Sequence, residues 1–174
     1  MHSTEVKALY LVVPANILYT LAAVTDAWFE LPPHASYGLW WVNFCDYLSC
    51  QIILAFHSEE PGWYHVLQVL SLFGWASLLL SLLMLLSTRF DKCLPKKLMT
   101  NQRNTTVAAV CLFSGFSISS SLVMFYTKLD ESSPKAHPQI SWSAVLAGVS
   151  CICQLLTGMF LMQAPSLTVL KLTG

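Results

Sequence analysis

Charge is what this 174-residue sequence has least of: only 10% of its residues are Asp, Glu, Lys or Arg, against 55% that are hydrophobic. A soluble domain carries roughly 25% charged residues, so this chain lacks the polar surface that would keep it in water. Its 9 basic and 9 acidic residues cancel, which excludes the basic footprint of a nucleic-acid partner. Catalytic patterns are missing as well. No GxSxG, HExxH or P-loop sequence occurs, the spacings that place a nucleophile, a zinc ion or a nucleotide phosphate. No pair of carboxylates falls inside an apolar stretch, where an ionisable group would mark a transport or proteolytic site. The 5 histidines show no H-x-x-x-H spacing, so no metal site is expected. The chain reads as a non-enzyme without cofactors.

What is present is apolar and long. Runs over residues 6–24, 64–86, 107–126 and 142–162 contain no Asp, Glu, Lys or Arg apart from Lys7, at the start of the first. Each approaches the ~20 residues a helix needs to cross a bilayer. None has a polar face, so they are not the amphipathic helices of a soluble bundle. They predict four transmembrane helices in a single tetraspan domain, 1–174. Pro14 is expected to kink the first. A rival reading, a secretory signal peptide cut near 22–24, fits less well, because the run exceeds the ~7–15 residues of a signal core.

Orientation follows from the basic residues. Connector 87–106 holds Arg89, Lys92, Lys96, Lys97 and Arg103 against a single Asp91, whereas connector 25–63 has five carboxylates and no Lys or Arg. With Lys7 and Lys171, seven of the nine basic residues fall on one side. That side is expected to be cytosolic, with both termini inside and loops 25–63 and 127–141 outside. Trp63, Tyr64, Tyr126 and Trp142 are then expected at the outer interface, where amphipathic rings settle. The sequon Asn104-Thr105-Thr106 lies on the cytosolic side and is expected to carry no glycan.

Cys45 and Cys50 fall in the acidic loop, on the oxidising side, where they are expected to pair across a tight turn. Cys93 is cytosolic and near the membrane, a candidate for palmitoylation. Cys111, Cys151 and Cys153 lie in apolar runs and are expected to pack as small hydrophobes.

Trp28, then Gly38-Leu39-Trp40, then Cys45 and Cys50 resemble the W-GLW-C-C signature of the tetraspan superfamily of claudins, epithelial membrane proteins and peripheral myelin protein. The resemblance implies an all-α membrane protein: a left-handed four-helix bundle with a small extracellular antiparallel sheet drawn mostly from the first loop. It implies that the disulfide pins two strands and that Trp40 lodges near the bilayer surface. The tail "SLTVLKLTG" lacks the Tyr-Val ending with which many claudins bind scaffolds. "TDAWFE" (25–30), "WYHVLQ" (63–68), "FYTK" (125–128) and "HPQISWS" (137–143) are similar instead to the natural killer cell granule branch of the superfamily. That similarity implies a role on cytotoxic granule membranes and in exocytosis.

Small residues recur at spacings of three or four: Gly74, Ser77 and Ser81, then Cys111, Gly115 and Ser119, then Ala144 and Gly148. Such spacing lets helix backbones approach closely within a bundle or, less often, along a lateral partner. Asn16 and Gln154 are expected to hydrogen-bond to neighbouring helices, since an unpaired amide in lipid is costly. The serines of "SISSS" (117–121) are expected to bond their own helix carbonyls. The partners expected are the lipid bilayer, membrane proteins held by lateral helix packing, and a second copy of the chain. Three functions compete: a granule and plasma-membrane protein regulating exocytosis, a claudin-like adhesion or barrier protein, and an accessory subunit of an ion channel or pump.

Overall fold

The computed structural model describes residues 3–31, 35–45, 49–55, 61–90, 96–132 and 137–170. Four helices dominate: α1 (Ser3–Ala23), α2 (Gly62–Phe90), α3 (Lys96–Ser132) and α4 (Trp142–Leu170). Each contains a segment long and apolar enough to cross a membrane. Lipid offers no partner to a free amide, so a spanning segment must bond its backbone internally, which a helix does. α1 packs on α4, α4 on α3 and α3 on α2.

The helices outrun the apolar runs that announce them. α2 continues to Phe90 and α3 starts at Lys96, so most of the connector expected over 87–106 is helical. α3 likewise continues to Ser132, into the loop expected over 127–141. Hydropathy marks where a chain prefers lipid, whereas the hydrogen-bond ladder carries on through polar residues until something stops it. α1 runs through Pro14.

Between α1 and α2 the chain forms β1 (Phe29–Leu31), β2 (Ala35–Tyr37), β3 (Trp41–Cys45) and β4 (Cys50–Leu54). A two-residue strand before α4, β5 (Gln139–Ile140), completes an antiparallel sheet in the order β4-β3-β2-β1-β5. The second outer loop, 127–141, thus supplies an edge strand that the first loop does not.

Close packing follows the small residues in part. A Cβ on Gly74 would lie 2.9 Å from Ile118, and one on Gly115 would lie 2.8 Å from Leu155. Gly158, not singled out above, faces Leu112 at 2.7 Å in the same sense. Gly148 has nothing within 4 Å and is no packing position. Helix phase explains the difference: residues 144, 147 and 151 are buried, and 148 turns away from them. Ser119 and Ser121 bond back to Phe116 O and Ile118 O at 3.0 and 2.9 Å, as their positions on an apolar helix require.

Candidate functional site at the sheet end of the bundle

The signature residues converge where the sheet meets the helices. Trp28 is fully buried; its indole N–H donates to the carbonyl of Ala22, at the end of α1. Its ring meets Tyr19 edge-on at 6.4 Å and lies tilted against Phe125 of α3 at 6.2 Å. Its own N–H and C=O pair with Tyr37 O and Ser141 N at 3.0 and 3.1 Å. One residue therefore ties α1, α3 and both sides of the sheet. An indole suits this place because its large apolar body carries a single donor, and that donor finds a carbonyl at the helix end, which it shares with the Thr25 hydroxyl at 2.9 Å.

Gly38 answers a different need. A Cβ there would sit 2.5 Å from Asp26 Cα and 2.6 Å from Thr25 O, both backbone atoms, so no side chain fits. The three carbonyls of Gly38-Leu39-Trp40 are all taken. Gly38 O accepts from the Tyr64 hydroxyl, Leu39 O from Gln68 Nε2 at 3.1 Å, and Trp40 O from Ala55 N at 2.9 Å. Tyr64 and Gln68 are four apart on α2 and so share one face. Leu39 is buried beneath the turn they hold, and Trp40 packs against the same core partly buried. His65 adds a contact from Nδ1 to Gln68 Oε1 at 3.3 Å.

Two corrections follow. Tyr64 is not an interfacial aromatic but a fully buried one, drawn inward by its bond to Gly38 O and by its edge-on contact with Phe125 at 5.7 Å. Trp142 (55% exposed) and Tyr126 (39%) do present their rings at the bundle surface. Gln154, expected to bond a neighbouring helix, is fully buried with neither amide atom partnered among the described residues. Asn16 does bond across, to Leu78 O at 3.3 Å.

Cys45 and Cys50 are disulfide-bonded at facing positions of β3 and β4, with Cα atoms 4.0 Å apart. The bond closes the hairpin at the end far from Trp41 and Leu54. Cys93 lies outside the described residues. Cys111, Cys151 and Cys153 are free thiols, and Cys151 donates to Gly115 O at 3.2 Å. Among the described residues no three His, Cys, Asp or Glu side chains gather as metal ligands.

All four segments singled out for the narrower resemblance meet here. Thr25 and Ser143 share a hydroxyl contact of 2.7 Å, and Ser141 donates to Glu30 at 2.8 Å. Phe125 lies 4.9 Å from Phe29 and 6.4 Å from Trp63. Sequence reasoning missed Tyr64 and Gln68 as anchors of the turn. The available signal was two hydrogen-bonding side chains four apart on one face of an otherwise apolar helix.

Two further features frame this end. His137 Nδ1 lies 2.9 Å from Asp130 at the rim, both exposed. β4 is an edge strand exposed along its whole length, with Ile52 at 66% and Leu54 at 44%. Against known proteins, no protein-family model matches the chain and no curated protein matches it.

Proposed function

We propose that the chain is a non-enzymatic, four-span membrane protein of cytotoxic granules and plasma membrane that regulates granule exocytosis through protein–protein contacts. In this reading the bundle is left-handed, the sheet faces the granule lumen or the cell exterior, and both termini are cytosolic. The observation that carries it is the convergence of residues 25–30, 63–68, 125–128 and 137–143 on one cluster of rings and hydroxyls. Shared greasiness alone has no reason to match four helix-flanking segments that also touch one another. The hydroxyl and aromatic chemistry of that cluster, whose carboxylate Glu30 is held by Ser141, supports a structural seat for the sheet rather than a reaction centre.

Deleting the gene in killer lymphocytes tests the reading, with surface exposure of granule markers scored after target contact. Lower degranulation with unchanged synthesis of lytic proteins is expected. Unchanged degranulation, with the tagged protein resident at epithelial junctions, would shift the assignment.

β4 supports a second reading, an adhesion or barrier protein assembling side by side. Among the described residues its outer edge is unpaired, and it lacks the Lys or Pro that commonly protects an apolar edge.

A further inference from the structure

Gln154 stands out because both polar atoms of its side chain, Oε1 and Nε2, are buried without a partner among the described residues. The residue as a whole is fully buried, and Asn16 Oδ1 is buried and unpartnered among the described residues too. The register of α1 against α4 places Gln154 and Asn16 about one turn apart along their seam. Ser150 Oγ donates to Ala15 O at 2.8 Å, which fixes the pairing of the two antiparallel helices. Gln154 is one turn beyond Ser150, away from the sheet. Asn16 follows Ala15, and its Nδ2 donates at 2.9 Å to Val12 O, one turn in the same direction. Side chains tilt towards the N-terminus of their helix. On antiparallel helices that tilt carries Gln154 towards the sheet and Asn16 away from it, so the amides close on the layer between them.

The neighbours of this layer are already committed. Leu78 O accepts from both Asn16 Nδ2 and Ser81 Oγ, at 3.3 and 2.8 Å. Ala15 O is taken by Ser150. Of the described carboxylates in the helices, Glu5 lies in the first turn of α1 and Asp130 and Glu131 lie near the end of α3, far from mid-bundle. What the layer offers is therefore neutral, two carbonyl acceptors and one amide donor. A hard cation would want several oxygens and formal charge. Water, which both donates and accepts, matches that set, and buried waters usually satisfy otherwise unpartnered polar groups in this way.

We propose that Gln154 and Asn16 together bind internal water that bridges the two amides across the α1–α4 seam. Such a bridge makes the middle of the bundle a hydrated joint rather than a dry one, although it is walled by apolar helices.

The test uses the full chain in lipid nanodiscs, with glutamine side chains labelled by nitrogen-15. The Gln154 signal is assigned by its loss in Q154M, and magnetisation transfer from water is then measured. Transfer to the Gln154 amide comparable to that of exposed Gln51 is expected, and its absence overturns the proposal. Thermal unfolding of Q154M and N16L gives an independent reading. If water bridges the amides, Q154M lowers the melting temperature in the native background, and the loss shrinks in the N16L background. If Gln154 is simply an unpaired amide, Q154M raises the melting temperature, because an apolar side chain of similar size removes a desolvation penalty. A rise therefore also overturns the proposal. The water-transfer measurement is made on the native chain, so it decides the matter even if N16L does not fold.

Discussion

At the scale of single residues, the turn Gly38-Leu39-Trp40 depends on atoms contributed from far along the chain. G38A places a methyl within 2.5–2.6 Å of two backbone atoms that cannot swing aside. A clash against backbone at the seat of the sheet should cost about 3 kcal/mol, in the range reserved for core overpacking. Retention in the early secretory pathway and a lowered melting temperature in detergent are the expected readouts; near-native behaviour would mean the turn is looser than described. Y64F is gentler, removing only a hydroxyl. It leaves Gly38 O without its donor in a buried site and should cost about 1–3 kcal/mol. Because Gln68 holds the next carbonyl, the combination of Y64F and Q68L should cost less than the sum of the two, measured by a double-mutant cycle.

At the scale of elements, the helices were legible and the strands were not. Four apolar runs of about 20 residues, charged only at Lys7, leave little room for another structure. Their ends were blurred, since Glu5, Arg103 and Lys128 are helical yet polar. β1 and β2 have three residues each and β5 has two, too short for alternation to register; only the resemblance to W-GLW-C-C implied a sheet. The fate of Gln154 was illegible in another way, because whether an amide finds a partner depends on helix register. The Glu5–Arg103 contact, 3.4 Å between α1 and α3 at the end far from the sheet, was likewise invisible. Glu5 is 6% exposed and its partner is more open. R103M should destabilise by about 1–3 kcal/mol by stranding a buried carboxylate, and E5Q should recover much of that loss in the double variant. For the β3–β4 hairpin, C45S should cost roughly 2–3 kcal/mol, as expected for a cross-link that closes so short a loop. Non-reducing peptide mapping should recover the Cys45–Cys50 fragment, and free thiols at both positions in mature protein would remove that crosslink from the account.

At the scale of the whole molecule, the four helices and the sheet make a polarised object. One end carries the disulfide, the buried tryptophan and the carbonyls held by α2. The other carries the Glu5–Arg103 contact and a sequence rich in Lys and Arg. That polarity is the basis for placing the sheet outside and the basic connector inside. Every functional proposal above depends on it, since a sheet facing the cytosol would meet neither an acidic lumen nor an oxidising compartment. The direct measurement is labelling of single introduced cysteines with a membrane-impermeant thiol reagent, in a C93S background so that the native thiol of the basic connector does not contribute. S36C, in β2, should react on intact cells carrying surface-resident protein, and T100C, in α3, only after permeabilisation. The reverse pattern, or reaction of both sites from the same side, would contradict the orientation and the exocytosis reading together.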